Sequence, residues 1–287
     1  MIFRRAYMKV AVTGCKGQLG ADLTAEMEKR NIQAAGIDID TVDITDYEAL
    51  EAFVEAEKPD AVVHLAAYTA VDKAEQEKEK CALINVKGTE NIAKICGEKG
   101  IKLLYTSTDY IFGGEGDTPF ETDSSPAPCN YYGLTKYEGE QAVKKHCPQH
   151  FIVRISWVFG VHGKNFVYTM LRLAENNREI RVVNDQTGSP TFTPDISKLI
   201  CDMIATDKYG VYHATNEGFC TWAEFAAEIM RRAGKDTKII PVSTEQYPTP
   251  AKRPRNSRLS KKSLDDAGFT RLPRWEDALD RFLEEVR

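Results

Sequence analysis

The sequence has no paired cysteines, no long apolar run and few histidines. Its seven cysteines never occur in a Cys-x-x-Cys spacing, and its five histidines show no metal-ligand spacing. These absences argue against a zinc site and a disulfide framework, and they indicate free thiols in a reducing compartment. No stretch approaches the roughly 18 apolar residues of a membrane span, so we expect no membrane partner.

The chain also lacks a targeting signal, a basic excess and internal repeats. The first residues, MIFRRAYM, show no apolar core or cleavage site of a signal peptide, so we expect a cytoplasmic protein with Met8 as a candidate natural start. There are 38 Lys and Arg against 43 Asp and Glu, a net charge of −5. Nucleic acid is therefore not expected as a partner, whereas a small anionic ligand needs only a few local donors. The absence of repeats argues against a solenoid or propeller.

The first half of the chain alternates short β-branched runs with helical patterns, which predicts parallel strands joined by crossover helices. The predicted strands are Lys9–Thr13, Gln33–Ile37, Ala61–Leu65, Ile101–Thr106 and Phe151–Ser156. The predicted helices are Gln18–Arg30, Tyr47–Glu57, Lys78–Lys99 and Gly133–Lys145. We therefore predict an α/β fold whose first domain, residues 8–157, is a doubly wound parallel sheet.

The second half of the chain has a looser pattern with more glycine and proline. Its predicted helices are Asp195–Thr206, Thr221–Ala233 and Trp275–Val286, and its predicted strands are Arg181–Val183 and Val211–Ala214. We expect residues 158–287 to form a smaller C-terminal α/β domain over the carboxyl ends of the sheet, with some segments returning to that sheet.

Gly14, Gly17 and Gly20 follow the first predicted strand and lead into a helix. The first glycine permits a tight turn, the second lets backbone approach a pyrophosphate, and the third allows close helix–strand packing. The N–H groups at the helix start would then receive the phosphates. Three glycines at this spacing also occur by chance, so the loop alone is weak evidence.

Asp38 strengthens the case for a Rossmann-type dinucleotide site, because it ends the second strand 18 residues after Gly20, where a carboxylate meets an adenosine ribose. A turn residue is the alternative interpretation. Such a carboxylate would repel the extra phosphate of NADP, whereas Lys16 would attract it, so NADH and NADPH both stay open. The predicted cofactor residues of this half are Gly14, Lys16, Gly17, Gln18, Leu19, Gly20, Asp38, Asp43, Ile44, Ala66, Ala67 and Tyr68.

Tyr132 and Lys136 lie four residues apart at the start of a predicted helix, so their side chains share one face. A nearby ammonium would lower the pKa of the phenol from about 10 and make it a usable proton donor and acceptor. The pair alone is also typical of an ordinary helix surface. Ser107 and Thr108 end the fourth strand, at the sheet edge where open α/β folds bind ligands.

The sequence thus has a glycine loop, an acidic residue after the second strand, hydroxyls after the fourth strand and a Tyr-x-x-x-Lys pair. In this order and spacing, these four elements resemble the extended short-chain dehydrogenase/reductase family. The resemblance implies a catalytic set of Thr108, Tyr132 and Lys136, with Ser107 as the competing hydroxyl. Thr108 would hold the substrate oxygen, Tyr132 would donate a proton, and Lys136 would tune Tyr132. The resemblance also places Tyr132 and Lys136 against the nicotinamide ribose of NADPH or NADH, from which the hydride would come.

Five longer strings are similar to a branch of this family that acts on nucleotide sugars. They are Thr69–Glu75, Ser107–Phe112, Asn184–Gln186, Gly188–Thr191 and Tyr247–Leu259. The resemblance implies NAD(P)H-dependent reduction of the C4 ketone of dTDP-4-dehydro-β-L-rhamnose to dTDP-β-L-rhamnose, the last step of dTDP-rhamnose biosynthesis. Tyr68 departs from the histidine that is frequent there, and Tyr131 is a second phenol that has no lysine four residues later.

A dTDP-sugar needs donors for two phosphates and a pocket for thymine and sugar. The resemblance implies substrate contacts from Val71, Thr108, Asp109, Tyr132, Trp157, Asn165, Arg253 and Arg258. Arg253 and Arg258 belong to the last of the five strings, Tyr247–Leu259, which is rich in proline. Arg255 adds charge to this proline-rich string. A solvated basic loop is the alternative interpretation of the arginines, and a core position is the alternative for Trp157.

Two other functions stay open at this point: a nucleotide-sugar epimerase or dehydratase of the same family, and a non-catalytic NADP-binding regulatory subunit. A dehydratase should add an acidic pair beside the catalytic hydroxyl, and this stretch offers Asp109 alone. The resemblance also allows Mg²⁺ away from the chemistry, although no ligand set for it is visible in the sequence. We predict a monomer or a homodimer.

Overall fold

The computed structural model describes residues 8–286, so the proposed extension before Met8 lies outside the described residues. The strands are β1 Lys9–Thr13, β2 Gln33–Ile37, β3 Ala61–His64, β4 Lys102–Thr108, β5 His150–Ile155, β6 Val158–Phe159, β7 Glu179–Val183, β8 Thr187–Gly188, β9 Thr191–Phe192, β10 Gly210–His213, β11 Cys220–Thr221 and β12 Lys238–Val242. The helices are α1 Gln18–Lys29, α2 Tyr47–Glu57, α3 Val71–Ala74, α4 Lys78–Ala82, α5 Thr89–Lys99, α6 Tyr131–His146, α7 Phe166–Ala174, α8 Thr193–Ile204, α9 Trp222–Arg232, α10 Lys262–Ala267 and α11 Trp275–Glu285. None of the described helices has the length and apolar character to cross a membrane.

Six parallel strands form the central sheet in the order β10-β5-β4-β3-β1-β2. Val10 and Val12 of β1 point to the face covered by α1 and α8, and Ala11 points to the face covered by α2 and α5. A parallel sheet buried on both faces needs such uninterrupted apolar strands. The predicted α/β fold with a doubly wound parallel sheet is confirmed. The strand order reverses between β1 and β3, the point where open α/β sheets bind ligands.

The helices begin and end where the sequence provides caps. Asp46 caps α2 by accepting a hydrogen bond from the amide of Ala49 at 3.0 Å, and Gly100 ends α5 at a φ of 65°. The single helix predicted over Lys78–Lys99 is instead three consecutive segments. A π-helical stretch, Leu83–Gly88, lies between α4 and α5, and such stretches are frequent at functional sites.

The small lobe has an aromatic core of its own, made by β6, β7, β9, β11, α7, α9 and α11. Phe159, Phe192, Phe225 and Phe282 are among its most deeply buried side chains. The strand predicted at Val211–Ala214 does not belong to this lobe, because β10 pairs with β5 in the central sheet. The sequence analysis missed β12, which pairs in parallel with β7. The boundary between residues 157 and 158 stays a prediction.

Candidate active site

A cleft of about 1220 Å³ opens beyond the carboxyl ends of the central strands, between the sheet and the small lobe. The loops that follow β1, β2, β3, β4 and β5 all contribute to its walls. The predicted site residues that line it are Gly14, Lys16, Gly17, Gln18, Leu19, Asp38, Asp43, Ile44, Ala66, Ala67, Tyr68, Val71, Thr108, Asp109, Tyr132, Lys136 and Trp157. The predicted residues outside its lining are Gly20, Asn165, Arg253 and Arg258.

The glycine loop is packed too closely for side chains. Gly14 has a φ of 70°, and a Cβ there would lie 2.8 Å from the nitrogen of Ala66. A Cβ on Gly20 would lie 2.2 Å from the oxygen of Gly14, so α1 packs directly against the backbone of the loop at Gly20. The N-terminus of α1 has no capping side chain and no acidic residue in its first turn. The open helix end and the bare loop fit the pyrophosphate of a dinucleotide.

The loop after β2 forms the acidic end of the cleft. Asp38 accepts hydrogen bonds from the amides of Lys16 (3.0 Å) and Ile39 (2.9 Å), so its carboxylate is held beside the glycine loop. The ammonium of Lys16 forms an ion pair with Asp40. Asp38 is therefore held at the edge of the cleft, and its contact with a ribose hydroxyl stays a prediction. Lys16 of the glycine loop is already paired with an acidic side chain.

A buried hydrogen-bond network joins the loop after β3 to α6. Asn85 accepts a bond from the amide of Tyr68 (2.7 Å) and donates to the Tyr68 carbonyl (3.2 Å) and to the hydroxyl of Thr135 (3.0 Å). His64 in β3 contacts the hydroxyl of Thr13 in β1 at 2.7 Å. The sequence analysis missed Asn85, although an amide in the middle of an otherwise helical pattern is a signal of such a role.

The first turns of α6 carry Tyr132 and Lys136. Asn130 caps this helix by accepting a hydrogen bond from the amide of Gly133 at 2.8 Å. A Cβ on Gly133 would lie 2.1 Å from the oxygen of Tyr110, so the helix rests directly on the turn after β4. The rings of Tyr110 and Tyr132 meet edge to face, with centroids 5.9 Å apart. These contacts set the position of the Tyr132 phenol.

Thr108 ends β4 beside this helix. Its hydroxyl donates to Asp109 Oδ1 at 3.1 Å and accepts from the amide of Tyr110 at 3.2 Å. The neighbouring hydroxyl of Ser107 is buried and has no hydrogen-bond partner among residues 8–286. Both hydroxyls line the cleft, and the assignment of Thr108 as the catalytic one stays a prediction.

Burial controls the protonation of the predicted catalytic groups. It raises the pKa of Tyr132 above its ordinary value, and the carboxylate of Asp109 raises it further, while a hydrogen bond with Thr108 lowers it. Burial lowers the pKa of Lys136 to about 7, and Glu140 opposes this shift. The i, i+4 spacing predicted that Lys136 would lower the pKa of Tyr132, but burial dominates. The phenol is thereby held protonated, which is the state that donates a proton.

Of two predicted substrate residues that follow β5, Trp157 lines the cleft and Asn165 does not. The indole of Trp157 lines it and stacks on that of Trp222, with centroids 3.7 Å apart. Asn165 lies behind the wall, where it caps α7 and donates a hydrogen bond to the side chain of Gln18 at 2.8 Å. Trp222 was missed in the sequence because it follows no strand of the central sheet.

The arginines of the proline-rich string have protein partners. Arg253 donates to both oxygens of Asp72, at 3.0 and 2.8 Å, which places it beside the start of α3 at the rim of the cleft. Arg258 donates to Asn256 at 3.0 Å and lies 6.0 Å from the ring centroid of Phe219. Neither side chain lines the cleft, so a direct contact with a phosphate would require these side chains to move.

No ligand set can be assigned among residues 8–286 to the magnesium ion that the resemblance allowed, and that ion stays a prediction. No group of three or more His, Cys, Asp or Glu side chains that could hold a metal occurs among residues 8–286. Hard divalent cations need several oxygen ligands. No step of the chemistry is therefore assigned to a metal.

Comparison with known proteins places the whole chain in one family. The model described as RmlD substrate binding domain matches residues 8–287. The chain is 38% identical to the spore coat polysaccharide biosynthesis protein SpsK of Bacillus subtilis, over 96% of this chain and 97% of that protein. It is 37% identical to the dTDP-4-dehydrorhamnose reductase of Escherichia coli K12, over 97% and 98%.

Solved structures agree with this result. The dTDP-4-dehydrorhamnose reductase of Bacillus anthracis, in complex with NADP, is 41% identical to this chain and superposes with a TM-score of 0.95, covering 97% of this chain and 99% of that one. Its likeness spans the central sheet and the small lobe alike. The chain therefore belongs to the RmlD substrate binding domain family, together with these dTDP-4-dehydrorhamnose reductases.

Proposed function

We propose that the protein catalyses the NAD(P)H-dependent reduction of the C4 ketone of dTDP-4-dehydro-β-L-rhamnose to dTDP-β-L-rhamnose. One observation carries the proposal: a single cleft is lined both by the glycine loop and by Thr108, Tyr132 and Lys136. Membership of the family of dTDP-4-dehydrorhamnose reductases supports the sugar substrate.

The mechanism follows from the positions of these side chains. Bound NAD(P)H supplies a hydride to the carbonyl carbon. Tyr132 is held protonated by burial and by Asp109, so its phenol donates the proton to the carbonyl oxygen. The hydroxyl of Thr108 binds the same oxygen and orients it toward the phenol.

Lys136 binds the cofactor and sets the local charge. Its side chain is only 3% exposed, and its Nζ lies 4.1 Å from the centroid of the Tyr105 ring. A buried ammonium at this depth can donate to ribose hydroxyls without competition from water. Its positive charge also compensates for the negative charge that develops on the phenol during proton transfer.

Two lysines missed by the sequence analysis support binding of a diphosphate. Lys73 in α3 and Lys164 just before α7 both line the cleft. Arg253 lies near Lys73 through its ion pair with Asp72. We propose that Lys73 and Lys164 receive the two phosphates of the dTDP-sugar, and that Arg253 reaches them only by releasing Asp72.

A direct assay tests the proposed function. Purified protein is mixed with dTDP-4-dehydro-β-L-rhamnose and either NADPH or NADH, and loss of the reduced-nicotinamide absorbance is followed. We expect one cofactor oxidised per sugar reduced. An epimerase or dehydratase would transform a sugar without net cofactor oxidation, and a regulatory subunit would bind the cofactor without turnover. Either result would refute the reductase assignment.

Replacing the proposed proton donor tests the mechanism. Tyr132→Phe should lower kcat by about 100-fold or more, because a general acid contributes on that scale, while NADPH still binds. Tyr131→Phe is the matched control and should keep kcat near that of the unmodified protein. Full activity of the Tyr132→Phe variant would assign proton transfer to another group.

We propose a cytoplasmic location, which the seven free cysteines support. The oligomeric state, monomer or homodimer, stays a prediction.

A further inference from the structure

Trp157 has an unusual backbone for an aromatic residue. Its φ of 49° lies in the left-handed region, which L residues with side chains rarely adopt. It directly follows β5 and Ser156, at the carboxyl edge of the central sheet and beside the strand that ends at Thr108. Residues held in such conformations cluster at functional sites, where the surroundings maintain them.

The surroundings of Trp157 hold its backbone on both sides. The amide of Thr191 donates to the carbonyl of Trp157 at 3.1 Å, and the hydroxyl of Thr191 donates to the carbonyl of Ser156 at 2.6 Å. A Cβ on Gly188 would lie 2.9 Å from Cε2 of the indole, so a residue with a side chain there would displace the ring. The loop from β8 to β9 is therefore shaped around Trp157.

Trp222 completes this arrangement from the small lobe. Its indole stacks on that of Trp157 with an interplanar angle of 15°. Trp222 is the first residue of α9, and a capping box between Thr221 and Glu224 fixes this helix end. The pairing of β11 with β8 places Cys220 opposite Gly188, so the two indoles are brought together by backbone hydrogen bonds.

Both indoles line the cleft. We infer that Trp222 is a positioning residue for the sugar. By stacking on the indole of Trp157, whose backbone is left-handed, Trp222 holds that indole in place. The Trp157 indole is then the wall against which the hexose of a nucleotide sugar packs. Indole faces and edges suit the C–H surface of a deoxyhexose, and the ring N–H groups can bond its hydroxyls. The inference rests on the proposed function.

The proposed dinucleotide contacts come from the glycine loop and Asp38, whereas the tryptophan pair follows β5 and begins α9. Loss of Trp222 should therefore weaken the sugar and spare the cofactor. We expect Trp222→Leu to raise the KM for the dTDP-sugar about tenfold, with kcat reduced less and the Kd for NADPH unchanged. Trp222→Phe retains a ring and should recover most of the lost affinity.

A spectroscopic signal reports the stack independently of turnover. The sequence has three tryptophans, so exciton coupling between the stacked indoles should dominate the near-ultraviolet circular dichroism, and either Trp222 variant should abolish it. Trp275→Phe is the matched control, since this buried residue belongs to the small-lobe core. It should keep both the coupling and the KM.

The outcomes separate the two proposals. Absence of cofactor oxidation by the unmodified protein would refute the reductase function itself. If the unmodified protein is active, a folded Trp222→Leu variant with the original KM would overturn the role of Trp222. A loss of NADPH affinity as large as the loss of sugar affinity, in both Trp222 variants, would also overturn this role, because it would show a general structural defect.

Discussion

At the scale of single residues, Lys136 shows how burial and charge oppose each other. Its ammonium lies under the Tyr105 ring, and one turn further along α6 is Glu140. Both oxygens of Glu140 accept hydrogen bonds from Arg154, at 2.9 and 2.8 Å, so much of its negative charge is already compensated. Burial consequently dominates, and the pKa of Lys136 is lowered to about 7.

This shift predicts a pH dependence near neutrality. Lys136 is protonated below about pH 7 and neutral above it. Since the charged form binds the nicotinamide ribose, kcat/KM for NADPH should fall as pH rises through 7. Steady-state kinetics across this range measures the effect. Lys144→Met, a change at an exposed lysine of the same helix, should keep the profile, and a flat profile in the unmodified protein would contradict the assignment.

Lys16 and Asp38 predict cofactor selectivity. Lys16→Ala should weaken NADPH roughly fivefold more than NADH, the upper range for an exposed charge pair, because only NADPH carries a phosphate on that ribose. Asp38→Ala should shift preference away from NADH. Binding titrations with both cofactors test these changes, with Lys29→Ala at the other end of α1 as control. Equal effects on the two cofactors would exclude these roles.

At the scale of elements, α6 is held against the active-site strand by two glycines. Gly133 rests on the backbone of Tyr110, and a Cβ on Gly139 would lie 2.5 Å from the hydroxyl of Tyr105. These close contacts leave no room for the helix to slide. The geometry between Tyr132 and Thr108 is therefore fixed by helix packing as well as by side-chain hydrogen bonds.

Gly133→Ala should consequently displace the start of α6. A shift of about 1 Å at a reacting group can cost about 100-fold in rate, so we expect kcat to fall on that scale while the protein stays folded. Gly100→Ala is the control, because it strains a left-handed helix end with no heavy atom within 4 Å of the added Cβ. It should lower stability by about 1 kcal/mol and leave kcat unchanged. Kinetics and thermal unfolding, measured together, distinguish the two.

The elements that form locally were predictable, and their distant pairings were not. The bounds of β1, β2 and α2 match the predicted segments because apolar periodicity and the Asp46 cap act within a few residues. The pairing of β10 with β5 joins segments nearly sixty residues apart, and β12 contains Pro241, which disfavours a strand in a local pattern.

The lining of the cleft was predictable where a motif sets it, as in the glycine loop, Asp38 and the helix bearing Tyr132. The contacts of Arg253 with Asp72 and of Trp157 with Trp222 depend on tertiary packing. No spacing in the sequence relates residues so far apart in the chain. The same limit applies to the pKa of Tyr132, whose direction depends on how deeply the phenol is buried.

At the scale of the whole molecule, two buried histidines tie stability to pH. Burial lowers the pKa of both His64 and His213 from 6.5 to about 3, with additional effects from Lys136 on His64 and from Arg154 on His213. The unfolded chain takes up protons at these histidines at a higher pH than the folded chain does. The stability they contribute is thus complete above 6.5 and is lost as pH falls toward 3.

Between its unfolded and folded pKa values, each buried histidine should lower the free energy of unfolding by about 1.4 kcal/mol for each unit by which the pH falls. Urea denaturation at a series of acidic pH values measures this slope. His64→Gln can keep a hydrogen bond to Thr13 and should reduce the slope by about one proton. His162→Gln, at an exposed histidine, should leave it unchanged. A His64→Gln slope equal to that of the unmodified protein would contradict neutral burial.

The position of β10 also bears on how the protein is made. This strand completes the central sheet beside β5, yet it emerges from the ribosome after β6, α7, β7 and β9 of the small lobe. Until then the nascent chain carries β5 as an open edge, with unpaired N–H and C=O groups able to pair with another chain. The step that closes the sheet is late and long in range, so the β5 edge is open to other chains until residues 210–213 have emerged.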